Sequence, residues 1–138
     1  MTTPVARGLF DVGADGTTRL VGSRCGGCGT SYFPQAVGCR NPDCDAPALS
    51  MALLPPEGRL VSYTIQHYRP PPLFRMDDWA PYAIGLVDLG DGVEVMGMLS
   101  GFDLDAVAIG TEVRTVAEPL YVDDTGGVVA TYKFARIA

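Results

Sequence analysis

A mainly β chain is predicted, a small four-cysteine module followed by a five-stranded barrel of the OB type, and three observations predict it. All four cysteines, Cys25, Cys28, Cys39 and Cys44, fall within twenty residues. Beyond the "PPEG" at 55–58, strand-like patterning of β-branched, aromatic and aliphatic residues recurs in five segments. Two of the gaps between those segments, "GDG" and "DDTGG", carry glycines that supply the positive φ angles of tight hairpins. At 138 residues the chain suits one compact domain, or a small module joined to a larger one.

The elements follow in order. "TTRLVGSR" (17–24), after the turn signal "ADG", reads as a short strand that forms one arm of a small sheet. Residues 25–44 are glycine-rich, punctuated by proline and without helical periodicity. "PPEG" then marks a boundary, because two prolines followed by glycine continue neither a helix nor a central strand. In "RLVSYTIQHY" (59–68), Val61, Tyr63, Ile65 and His67 alternate with Ser62, Thr64, Gln66 and Tyr68, while Leu60 stands aside from the alternation. "YAIGLVDL" (82–89) and "VEVMGMLS" (93–100) form a hairpin, and so do "EVRTVAEPLYV" (112–122) and "VVATYKFARI" (128–137). The connection "GFDLDAVAIG" (101–110) is read as a short helix with Asp103 or Asp105 near its start, where a carboxylate satisfies free N–H groups. Five antiparallel strands with one helical element after the third suit a Greek-key barrel of the OB type, with a sandwich fragment as the alternative on pattern alone. The divisions are an N-terminal segment and ribbon strand over 1–24, the cysteine module over 25–54, and a barrel with its C-terminal tail over 55–138.

Charge and hydropathy narrow the function. Through residue 60 five acids match five arginines, so the whole net charge of −6 arises in the second half, where eleven acids face five bases. A general polyanion binder shows a basic patch, because counterion release supplies most of its affinity, and the acidic barrel half argues against nucleic acid. No stretch nears the roughly 18 apolar residues of a membrane-spanning helix, and "MTTPVARGLFDVGADG" lacks a basic segment leading an apolar run. A cytoplasmic protein without membrane contact is expected.

The cysteines are spaced C-x2-C, ten residues, C-x4-C. Two tight turns so placed aim four thiolates at a tetrahedron, which Zn2+ accepts without d-electron preference. Gly26, Gly27 and Gly29 serve the first turn, and Asn41 and Pro42 bend the second. Iron uses the same four thiolates, and spacing does not separate the metals. Paired disulfides do not suit a cytoplasmic chain, and a redox C-x-x-C belongs beside a β-α-β pattern that is missing here. Four sulfur ligands leave a zinc ion no position for water, so its role is structural.

Other chemistry is sparse. His67 is the single histidine, and a histidine-based mechanism would rest on it; the ordinary reading is a hydrogen-bonded residue at a barrel rim. Asp77 and Asp78 are read as solvated loop carboxylates, and Asp88, Asp91 and Glu94 as hairpin charges that aid solubility. Arg69, Arg75, Lys133 and Arg136 are the candidate anion site, because guanidinium groups bind phosphate in bidentate fashion; scattered surface bases are the alternative. Trp79 and Phe74, in the proline-rich loop 69–82, are anchors or part of a protein-binding patch.

One ordered set of motifs goes further. "RLVGSRCGGCGTSYFPQAVGC", a second cysteine knuckle, "GRLVSYTI", "PYAIGLVDLGDGVEVMGMLSG" and "ATYKFARI" together resemble the DUF35 family of acyl-CoA-associated zinc-ribbon/OB-fold proteins over residues 19–137. The second knuckle, "CRNPDC", is longer than the commoner C-x2-C. The resemblance implies a rubredoxin-like zinc ribbon followed by a five-stranded Greek-key OB barrel, with Cys25, Cys28, Cys39 and Cys44 holding structural Zn2+. It implies a non-catalytic accessory subunit in a hetero-oligomer with a thiolase-superfamily chain, an acyltransferase or C–C lyase acting on acyl-CoA. In that setting ribbon and barrel help bind or pass the CoA thioester, with Arg69, Arg75, Lys133 and Arg136 as the candidate CoA contacts. A single-stranded nucleic-acid binder is the second reading, and a stand-alone iron redox protein the third.

Overall fold

In a computed structural model, residues 2–6, 8–72, 75–76, 79–90 and 92–137 are described; Phe74, Asp77, Asp78 and Asp91 lie outside them. The described residues form ten strands and no helix. Ribbon strands β2 (Phe10–Val12), β3 (Thr18–Cys25), β4 (Ser31–Tyr32) and β5 (Leu49–Leu53) make one sheet in which β3 pairs with the other three, all antiparallel. The barrel consists of β6 (Glu57–Gln66), β7 (Tyr82–Gly90), β8 (Val93–Ser100), β9 (Glu112–Val122) and β10 (Val128–Arg136).

The barrel closes in the ring β10-β8-β7-β6-β9 and back to β10. Four of those contacts are antiparallel; β10 and β8 run parallel and meet over only three residue pairs, Lys133–Met98 to Ala135–Ser100. Earlier along that β10 edge β1 (Thr2–Pro4) pairs, also parallel, opposite Val128 to Ala130. The first strand of the chain therefore joins the barrel sheet and not the ribbon. The five barrel strands fall where the patterning placed them, within a residue or two.

Two local readings change. Leu60, set aside by the alternation, is fully buried, because the β6–β7 register slips between Leu60 and Ser62. The extra residue, Val61, makes a bulge, so Leu60 falls on the same face as Ile65 despite an odd spacing. Segment 101–110 forms turns instead of a helix. The Asp103 carboxylate accepts from the Asp105 N–H at 3.0 Å, and Asp103 O accepts from the Ala106 N–H at 2.9 Å, which closes a single turn. Phe102, Leu104 and Val107 from that turn pack on the core, a spacing that one helix face does not provide.

Ribbon and barrel share one core. Leu20 of β3 and Leu54 after β5 lie in the same buried cluster as Leu60, Val87, Val113 and Phe134 of the barrel. A second link is aromatic: Phe33, just past β4, meets the Tyr132 ring edge-on at 5.6 Å, and Tyr132 meets Phe134 at 5.9 Å. Gly97 makes room for both rings, since a Cβ there would lie 2.8 Å from each.

Candidate metal centre

The first knuckle leaves the end of β3. The Cys25 N–H donates to Thr30 O at 2.9 Å and Gly29 N–H to Cys25 O at 2.7 Å, with Gly29 at φ +78°, a conformation that favours glycine. A Cβ on Gly27 would overlap the Ala46 carbonyl, so the two knuckles approach this closely only with glycine there. The second knuckle turns at Asn41, whose carbonyl accepts from Cys44 N–H at 3.1 Å and whose side chain accepts from Asp43 N–H at 3.0 Å.

These turns gather Cys25, Cys28, Cys39 and Cys44, whose sulfurs all lie within 4.8 Å of one another. The Sγ atoms of Cys25 and Cys44 are 3.7 Å apart, and those of Cys28 and Cys39 are 3.6 Å apart. Four thiolates about 2.3 Å from one tetrahedral zinc would sit about 3.8 Å apart, so the donor set fits such an ion. Cys25 is buried, Cys28 exposed and the other two intermediate.

Hydrogen bonds tune the sulfurs unequally. Cys25 is held below its ordinary pKa first by the Ala48 N–H, 3.4 Å from its sulfur. The Thr30 hydroxyl, 3.2 Å from Cys28 Sγ, and then the Thr30 N–H bring Cys28 down to about 6. At Cys44 the Ala46 N–H favours the thiolate, but burial and the surrounding sulfurs outweigh it and push the group up to about 12. Several thiolates this close repel, and a cation at their centre removes that conflict.

The candidate anion site is divided. Arg69 lies over the Trp79 ring at 5.6 Å and Arg75 over the Tyr121 ring at 4.2 Å. Lys133 pairs with Glu118 at 3.4 Å, and the other Glu118 oxygen accepts from the Ser100 hydroxyl. Lys133 also lines a cleft of about 370 Å³ with Met76, Tyr121 and Val128, and Tyr121 is the ring that Arg75 covers. Arg136 sits opposite Val113, whereas Tyr121 is eight residues farther along β9. At about 3.3 Å per residue, up to roughly 26 Å of strand lies between Arg136's partner and the ring that Arg75 covers. His67 is exposed just past the end of β6.

An apolar cleft on the barrel wall was not foreseen. Pro71, Tyr82, Ile84, Met96, Met98 and Tyr132 border about 270 Å³ of space, with Met96 64% exposed. The signal was present in "YAIGLVDL" and "VEVMGMLS", which are apolar at successive positions where a strand with one solvated face would alternate.

Comparison with known proteins agrees with this architecture. Residues 16–50 match the rubredoxin-like zinc ribbon domain of ChsH2, and residues 52–118 match its C-terminal OB-fold domain. A DUF35 domain-containing scaffold protein of Methanocaldococcus jannaschii is 31% identical over 120 residues, covering 86% of this chain and 82% of that protein. One from Methanothermobacter thermautotrophicus is 30% identical, covering 80% of each. A probable enoyl-CoA hydratase alpha subunit of Thermomonospora curvata is 33% identical over 69% of this chain but only 28% of its own length. Among solved structures, a chain of the Ltp2-ChsH2(DUF35) aldolase superposes with a TM-score of 0.60 at 30% identity, covering 86% of this chain and 84% of that one.

Proposed function

Because the chain belongs to the DUF35 family of zinc-ribbon/OB-fold scaffold proteins, we propose that it is the non-catalytic subunit of a thiolase-type enzyme acting on an acyl-CoA thioester. One observation carries this reading: the likeness to a DUF35 chain in an aldolase named for two components, at 30% identity over most of both chains. The cysteine cluster supports a holding role and not a reacting one. With Cys25, Cys28, Cys39 and Cys44 all bound to a zinc ion, no coordination position is left for water, and the ion ties the two knuckles of the ribbon together. The reacting groups then belong to the partner chain.

Within that complex, Arg69, Arg75, Lys133 and Arg136 are the residues to test for CoA phosphate contact. Arg75 and Lys133 come first because the Tyr121 ring that Arg75 covers lines the cleft that Lys133 borders. Lys133 has its charge matched by Glu118, so Arg75 is the stronger anion donor of the two.

Purification from the native host tests the reading. A thiolase-like chain that co-elutes through affinity and size-exclusion steps supports it, and a chain recovered only as a lone monomer overturns it. In the intact complex, loss of CoA affinity on Arg75→Ala supports the contact, and unaltered affinity removes it.

A further inference from the structure

The sulfurs of the cluster are not left to the metal alone. Cys25 accepts from the Ala48 N–H at 3.4 Å, Cys28 lies 3.2 Å from the Thr30 hydroxyl, and the Ala46 N–H favours the Cys44 thiolate. At Cys39 the donor is a phenol, with the Tyr32 hydroxyl oxygen 3.5 Å from Cys39 Sγ.

The direction of that bond follows from the chemistry of a ligating sulfur, since a Cys39 thiolate has no proton to give. The Arg40 N–H donates to the same hydroxyl oxygen at 2.8 Å, occupying one of its acceptor positions. A phenol has a single proton to give, and the Cys39 thiolate lies within reach of it. The Arg40 guanidinium lies 5.6 Å from the ring centroid, and the Tyr32 backbone carbonyl packs where a Cβ on Gly22 would stand.

We infer that Tyr32 is a positioning residue of the metal centre, donating its phenol proton to the Cys39 thiolate and slowing loss of the metal. The inference rests on the reading of the four cysteines as a metal site. A hydrogen bond withdraws charge from a metal-bound sulfur, and partners outside the ligand set commonly change metal affinity by about 10–100-fold. Its placement matters because Cys39, unlike Cys25, is partly open to solvent.

The test uses the full chain loaded with zinc or with Co2+ as a spectroscopic stand-in. Visible bands of tetrahedral thiolate-bound Co2+ in the wild-type chain establish the metal site itself, and their absence would overturn that reading before Tyr32 is considered. In Tyr32→Phe the ring stays and only the hydroxyl goes. Zinc release to an excess of chelator is expected to be about tenfold faster, with the sulfur-to-cobalt charge-transfer band moved to longer wavelength, because an unbonded sulfur holds its electrons less tightly. Arg40→Gln keeps both the hydroxyl and the Arg40 backbone N–H, so its band stays in place. A Tyr32→Phe protein with wild-type release rate and band position would overturn the inference. So would an Arg40→Gln protein whose band moves as far as that of Tyr32→Phe, since ring placement would then be the cause.

Discussion

Leu20→Ala probes whether ribbon and barrel are one cooperative unit. Leu20 lies on ribbon strand β3, opposite Phe10, and has no exposed surface. Its side chain belongs to the cluster that holds Leu60, Val87 and Phe134 of the barrel. Cutting a fully buried leucine back to alanine costs about 3 kcal/mol, the transfer of the Cγ and two Cδ carbons removed plus the cavity they leave. For a chain of this size, with total stability of roughly 7–20 kcal/mol, that is a large share. It corresponds to a drop of about 1.5 M in the urea midpoint for a slope of about 2 kcal/mol/M. Amide hydrogen exchange on the zinc-loaded chain then shows where the loss is felt. A shared core predicts that β7 and β8, which contain neither the mutation nor a cysteine, lose protection in step with β3. If β7 and β8 kept wild-type protection while β3 alone opened faster, the single-core reasoning would be refuted.

Other outcomes follow from single features. Gly97→Ala places a methyl 2.8 Å from the Tyr132 and Phe134 rings and is expected to cost about 1–3 kcal/mol by overpacking, read as a lower urea midpoint. Metal retention should weaken as pH falls, because protons compete with the ion for the thiolates; release to chelator across a pH series checks this, and faster release at higher pH would contradict it. Cys44, pushed up to about 12 without metal, is a neutral thiol at pH 7 and must lose its proton to become a ligand. Calorimetric zinc titrations in two buffers of different ionisation enthalpy should therefore show proton release, and identical heats would contradict this. Metal analysis with a visible absorption spectrum separates zinc from iron, since a four-thiolate ferric site is coloured and a zinc site is not.

The local elements of this protein could be read from its sequence. Strands 82–90, 93–100, 112–122 and 128–136 were visible because alternation along a strand and glycine at its turn are set by neighbouring residues. The cysteine cluster was visible for the same reason, since each knuckle is a turn of a few residues and only the meeting of the two is long-range. The acidic imbalance of the second half also needed no coordinates. Tertiary structure decided what depends on which edges and faces meet. It buried Leu60 through a bulge seen only against β7, and it seated Thr2–Pro4 beside β10 next to the short β10–β8 seam. It separated Arg136 from Arg75 while setting Lys133 against Glu118. It joined ribbon to barrel through Leu20, Leu54 and Phe33. Periodicity records which way a side chain points relative to its neighbours in sequence, whereas these outcomes depend on contacts dozens of residues apart, whose partners are chosen only when the whole core packs.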